Sequence, residues 1–180
     1  MKGAVRVDNS TKSTVKIILI SVIVLAVIAI WGIKNQQKDN SFKSDNADFD
    51  LNVTEALDME KLKSYGIPIL IEFGSETCDP CKTMAPIIAA LNEELQGKAI
   101  VRYVNVGTNP EFSTDYPVSV IPTQLFIDAD GNPYYPADIE ASTVKIYTHN
   151  ETGEHYFTTH EGTMTKDELL SILREMGMEE

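Results

Sequence analysis

The sequence predicts an α/β domain: a mixed β-sheet flanked by helices on both faces, with an insertion before the last strand and an N-terminal transmembrane helix ahead of it. Three observations lead there. Short, apolar, β-branched runs alternate with stretches of helical periodicity in the order αβαβαββα, without an internal repeat. The last two strand-like runs alternate in hydrophobicity around a turn, as an antiparallel hairpin does, so the sheet is not purely parallel. Finally, residues 17–33 (IILISVIVLAVIAIWGI) carry no charge at all.

That uncharged segment is at the lower limit of length for crossing a bilayer as a helix. The alternative, a cleaved signal peptide, fits less well, because Val27-Ile28-Ala29 is a poor cleavage site and no cysteine follows closely enough for a lipid anchor. Lys2, Arg6, Lys12 and Lys16 precede the segment and only Lys34 and Lys38 follow it, so the positive-inside bias puts residues 1–16 in the cytoplasm. Trp31 stands where an interfacial aromatic anchors the outer end. Residues 34–50 are polar and read as a tether, which leaves residues 51–180 as the domain, on the extracytoplasmic side.

Within that domain, Asn52-x-x-Glu55 has the pattern of a capping box, and Val53, Ala56, Leu57 and Leu62 follow at helical spacing until Gly66. Residues 68–73 (PILIEF) read as a buried strand. A helix over residues 78–95 follows from Met84, Ile87, Ile88, Leu91 and Leu95, with Pro86 to kink it and Gly97 to end it. Residues 99–106 form the next strand, and Asn109-Pro110 opens a short helical turn. After Pro122 comes a strand over 123–128 and a tight turn at Asp130-Gly131. Residues 133–142 are irregular; 143–149 and 155–160 form the hairpin. The chain closes with an amphipathic helix over 166–176, carried by Leu169, Leu170, Ile172 and Leu173.

Charge excludes one class of partner. Residues 1–40 hold six Lys/Arg against two Asp/Glu, but the remaining 140 hold nine against twenty-five. So acidic a domain has no electrostatic footprint for nucleic acid.

The chemistry points to Glu76-Thr-Cys78-Asp-Pro-Cys81-Lys82, which contains both cysteines of the chain. A lone C-x-x-C suits several uses. Structural zinc needs four ligands, and only His149, His155 and His160 are there to complete a set; their places on alternating strands make them surface histidines. A purely structural disulfide between residues three apart removes little entropy from the unfolded chain. Redox exchange draws support from position: a cysteine at a helix N-terminus sits beside unpaired N–H groups and the positive end of the dipole, which favour the attacking thiolate. Cys78 is so placed, and Cys81, one turn on, is set to attack a mixed disulfide.

The stretches PILIEFGSETCDPCKTMAPIIAALNEEL and NPEFSTDYPVSVIPTQLFIDADGN, with HEGTMTKDELLSILREMG, resemble the thioredoxin family. The resemblance covers most of the domain and implies a thioredoxin-like fold. It implies that Cys78 is the exposed nucleophile, Cys81 the buried resolving thiol and Pro122 a cis-proline beside them. The backbone of Ile121 then pairs with an extended substrate, in a binding surface that includes Thr77, Asp79 and Pro80. Glu72 takes the place of the family's buried acid, which moves a proton as the second cysteine attacks; a carboxyl between Ile71 and Phe73 is expected to be buried, with a raised pKa. No cofactor is implied.

Departures from the family pattern bear on the direction of electron flow. Thr77 and Gly74 replace tryptophans, and Tyr103 stands where a lysine usually lies near the buried acid. Asp79 replaces a glycine and opposes the thiolate beside it, which argues for a reductant. The expectation is an extracytoplasmic protein-disulfide reductase, acting on exported proteins and recharged by a membrane electron donor. A disulfide oxidase or isomerase, a redox-inactive binding module and metal delivery are the competing readings. Residues 133–154 exceed the family minimum and form either a partner-specific edge or a tolerated insertion.

Overall fold

The computed structural model describes residues 46–179. Its regular elements are a 3-10 turn Ala47–Phe49, α1 (Met59–Lys63), β1 (Ile69–Gly74), α2 (Asp79–Glu94), β2 (Ile100–Asn105), a 3-10 turn Pro110–Ser113, β3 (Thr123–Ile127), β4 (Lys145–Thr148), β5 (His155–Glu161) and α3 (Lys166–Glu175). The five strands lie in the order β2-β1-β3-β5-β4. β1 and β2 are parallel and every other pairing is antiparallel, so the sheet is mixed.

Two apolar layers cover the sheet. On one face α2 and α3 pack Met84, Ile88, Leu91, Leu169 and Leu173 against Leu70, Val101 and Phe126. On the other, Phe49, Val53 and Leu62 cover Ile69, Ile71, Phe73, Ile100, Val104, Leu125 and Ile127. β1 and β3, buried along their whole length, therefore read in sequence as continuous apolar runs rather than alternating ones. Within that rule Glu72, Thr123 and Gln124 are the polar exceptions.

The first helix starts later than its sequence pattern suggests. Asn52 does not cap it; residues 51–53 run along β2 instead, with Tyr103 N–H donating to Leu51 O at 2.7 Å and Val53 N–H to Tyr103 O at 2.9 Å. Asp58 is the cap, accepting from Lys61 N–H at 3.1 Å. A tertiary backbone pairing thus takes precedence over a local capping signal. The same strap extends the domain into the expected tether: Phe49 is buried, and its carbonyl accepts from the buried Asn92 amide at 2.8 Å. Arg102 donates to the carbonyls of Ala47 and Asp48.

The C-terminal hairpin forms as expected, with β4 as an exposed edge strand. The insertion is tied down at its start, where Tyr134 is buried and its hydroxyl donates to Glu175 Oε2 at 2.7 Å. The apolar segment 17–33 and the residues flanking it lie outside the described residues. Among the described residues no helix is long and apolar enough to cross a membrane.

Candidate active site

β1 ends at Gly74, and a short turn at 75–77 delivers the chain to α2. Ser75 shapes that turn: its carbonyl accepts from Cys78 N–H at 3.2 Å and its Oγ from Thr77 N–H at 3.3 Å. Cys78 is the N-cap residue of α2, with extended backbone and Sγ accepting from Cys81 N–H at 3.2 Å. Pro80 occupies the first turn, where its missing N–H costs nothing, and Pro86 lies inside the helix. Cys78 and Cys81 are joined in a disulfide, with their Cα atoms 5.2 Å apart. Cys78 is half-buried and Cys81 is 3% exposed, so only the first sulfur faces solvent.

The opposite wall is the loop before β3. The Ile121–Pro122 bond is cis, and the carbonyl of Ile121 lies 3.7 Å from Cys78 Sγ. Gly162 N–H donates to Pro122 O at 2.8 Å and Thr123 Oγ1 to Val120 O at 2.7 Å, which fix the loop from both sides. Pro122 is buried, Ile121 half-buried and Val120 exposed. Thr77, Asp79 and Pro80, the other residues expected to bind substrate, are exposed on the cysteine side. The Asp79 carboxylate does not stand alone: Lys82 Nζ donates to it at 2.7 Å, one turn along α2.

Beneath the disulfide, on the α2 face of the sheet, runs a polar row. The register sets Tyr103, Glu72, Gln124 and His160 side by side across β2, β1, β3 and β5. Glu72 is 1% exposed, and burial pushes its carboxyl up to about 8, opposed in part by a hydrogen bond from Gln124 Nε2 to Oε2 at 2.8 Å. Its other oxygen, Oε1, is buried without a protein partner. Tyr103 is pushed up to about 12, chiefly by burial, with Glu72 and Glu76 adding to it. Gly74 makes room for the cysteine: a Cβ there lies 3.0 Å from Tyr103 Cε2 and 3.4 Å from Cys81 Cβ. Cys81 therefore sits over Gly74, two residues along the same strand face from Glu72.

Sequence reasoning brings together Glu72, Cys78, Cys81, Ile121 and Pro122, but it misses Gln124 and misplaces His160. His160 is not a surface residue; it is buried, with Nδ1 2.7 Å from Gln124 Oε1, and burial lowers its pKa. His155 is half-buried and only His149 is exposed. A polar Gln124 within an otherwise apolar central strand was the available signal. Among the described residues no group of His, Cys, Asp or Glu is arranged to hold a metal ion.

The Thioredoxin family model matches residues 51–145. Over 72 residues the chain is 36% identical to the thioredoxin of Rickettsia felis (strain ATCC VR-1525 / URRWXCal2), covering 40% of this chain and 69% of that protein. It is likewise 36% identical over 74 residues to the thioredoxin of Chlorobaculum thiosulfatiphilum, covering 41% of this chain and 63% of that one. Among solved structures, that of chloroplastic thioredoxin z superposes with a TM-score of 0.47 at 17% identity, over 70% of this chain and 92% of that one. With a disulfide at the head of α2 and a family match over more than half its length, the chain belongs to the thioredoxin family of thiol–disulfide oxidoreductases.

Proposed function

We propose that the protein is a membrane-anchored, extracytoplasmic protein-disulfide reductase. The observation that carries the chemistry is the Cys78–Cys81 disulfide at the N-terminus of α2, with the first sulfur open to solvent and facing the Ile121–Pro122 loop. In the reduced protein Cys78 attacks one sulfur of a substrate disulfide, forming a mixed disulfide and releasing a substrate thiolate, which takes up a proton from water. Cys81 then passes its thiol proton to Glu72, directly or through one water, and its thiolate attacks Cys78 Sγ. The Cys78–Cys81 bond forms, the bond to the substrate breaks, and the second substrate thiolate leaves. Two electrons have moved from the dithiol to the substrate.

Each residue has a reason for its role. The N–H of Cys81 and the helix dipole stabilise negative charge on Cys78. A carboxyl near neutrality exchanges protons in either direction. Thr77, Asp79 and Pro80 border an extended substrate segment whose backbone pairs with Ile121 beside Pro122. Asp79 opposes the thiolate and favours a reductant over an oxidant, which requires a membrane electron donor on the extracytoplasmic side. The charge bias around residues 17–33 supports that placement.

Trapping tests the chemistry: full-length Cys81→Ser accumulates mixed disulfides with protein substrates, whereas Cys78→Ser forms none and loses reductase activity. Equal trapping by both variants means that Cys78 is not the nucleophile. Placement is tested by a membrane-impermeant thiol reagent on intact, reduced cells. Labelling of Cys78 without permeabilisation is the expected result, and protection until lysis sinks the extracytoplasmic assignment.

A further inference from the structure

The polar row beneath the disulfide extends past Glu72 to two residues that thiol exchange does not itself use. Gln124 Nε2 faces two acceptors, Glu72 Oε2 at 2.8 Å and the Gly162 carbonyl at 3.1 Å. An amide turned the other way sets its oxygen against that carbonyl, so the amide orientation is decided whatever the charge on Glu72. Gln124 Oε1 then accepts, and His160 Nδ1 carries the hydrogen that it donates across 2.7 Å. The chain of donors runs one way: His160 to Gln124 to Glu72.

From this chain we infer that Gln124, oriented by His160 and Gly162, is a positioning residue that holds Oε2 of Glu72 as an acceptor and leaves Oε1 as the oxygen that takes and gives the proton. An amide nitrogen only donates, so a proton on Oε2 weakens the hydrogen bond that Gln124 makes to it. Oε1, buried without a protein partner, has no such obstacle. The row thus separates two tasks on one carboxyl, with Oε2 anchoring it and Oε1 exchanging. His160 acts at second hand, since its N–H keeps the amide from turning. The inference rests on Glu72 being the proton carrier for Cys81. The other titratable groups around the row are Tyr103 on β2, Cys81 on α2, Glu161 on β5, Glu168 at the start of α3 and Glu76 in the turn before Cys78.

Infrared spectroscopy of the oxidised full-length protein in nanodiscs tests it. The protonated Glu72 carboxyl gives a C=O band, assigned by its loss in Glu72→Gln. With the proton on Oε1, that band belongs to Oε2 and is lowered in frequency by the Gln124 hydrogen bond. Gln124→Met, which keeps the shape and removes the donor, moves the band up and raises its titration midpoint by roughly one to two pH units. His160→Leu moves both in the same direction. His160→Asn retains an N–H at the place of Nδ1 and leaves both near wild type. A band and midpoint unmoved in Gln124→Met, or moved equally by His160→Leu and His160→Asn, overturns the inference. The catalytic reading fails separately, if Glu72→Gln resolves mixed disulfides at the wild-type rate while the band shifts stand.

Discussion

Glu72→Gln should make the fold more stable at neutral pH and the enzyme slower. The folded-state pKa of Glu72 is raised from 4.5 to about 8, so the folded protein binds one proton more tightly than the unfolded chain. The stability contributed by that proton is fully present below pH 4.5 and is lost as pH rises toward 8. The slope is about −1.4 kcal/mol per pH unit across this window, which amounts to roughly 3 kcal/mol lost by pH 7. A neutral amide of the same shape removes the slope. Its own cost is one buried N–H without a partner where Oε1 stood, on the order of 1–3 kcal/mol. The two curves should therefore cross: wild type is the more stable at pH 5, and the variant equals or exceeds it by pH 7. Denaturant unfolding with the disulfide intact, at pH 5, 6, 7 and 8, reads this directly. Parallel stability curves for the two proteins would refute the reasoning, because they would mean that Glu72 ionises in the folded state as it does in water.

Other substitutions test neighbouring parts of the structure. Asp79→Asn should raise the reduction potential, but by less than about 30 mV, because the charge is exposed and already paired with Lys82; a fall, measured against a glutathione buffer, would contradict the assigned sign. Gly74→Ala sets a methyl 3.0 Å from Tyr103 and 3.4 Å from Cys81, so a loss of roughly 1–3 kcal/mol in urea unfolding is expected, together with slower resolution of mixed disulfides. Asn92→Leu strips hydrogen bonds from the carbonyls of Phe49 and Val101, and should cost roughly 2–4 kcal/mol while leaving the reduction potential unchanged. Thr165→Ala removes the capping box of α3, for a loss of about 1 kcal/mol by the same unfolding assay.

What the sequence made legible was mostly local. Pro80 and Pro86, the apolar spacing from Met84 to Leu91 and the run ILIEF define a strand leading into a helix with Cys78 at its head, and each signal lies within a few residues of what it specifies. Glu72 was legible because a carboxyl in an apolar run has few places to go. What a local reading leaves unstated depends on register between distant strands. Gln124 meets Glu72, and His160 meets Gln124, only because β3 lies between β1 and β5, and nothing near either residue states that alignment. Asn52 failed as a helix cap for the same reason: its neighbours pair with Tyr103, some fifty residues later. Long-range backbone pairing decides both cases, and a local pattern does not contain it.

The most direct test of the reductase assignment is the equilibrium reduction potential of Cys78–Cys81 in the full-length protein, against a defined thiol buffer. The expected value is about −270 mV, in the range of reducing thioredoxins. A value near about −120 mV would make the pair an oxidant and contradict the role given to Asp79.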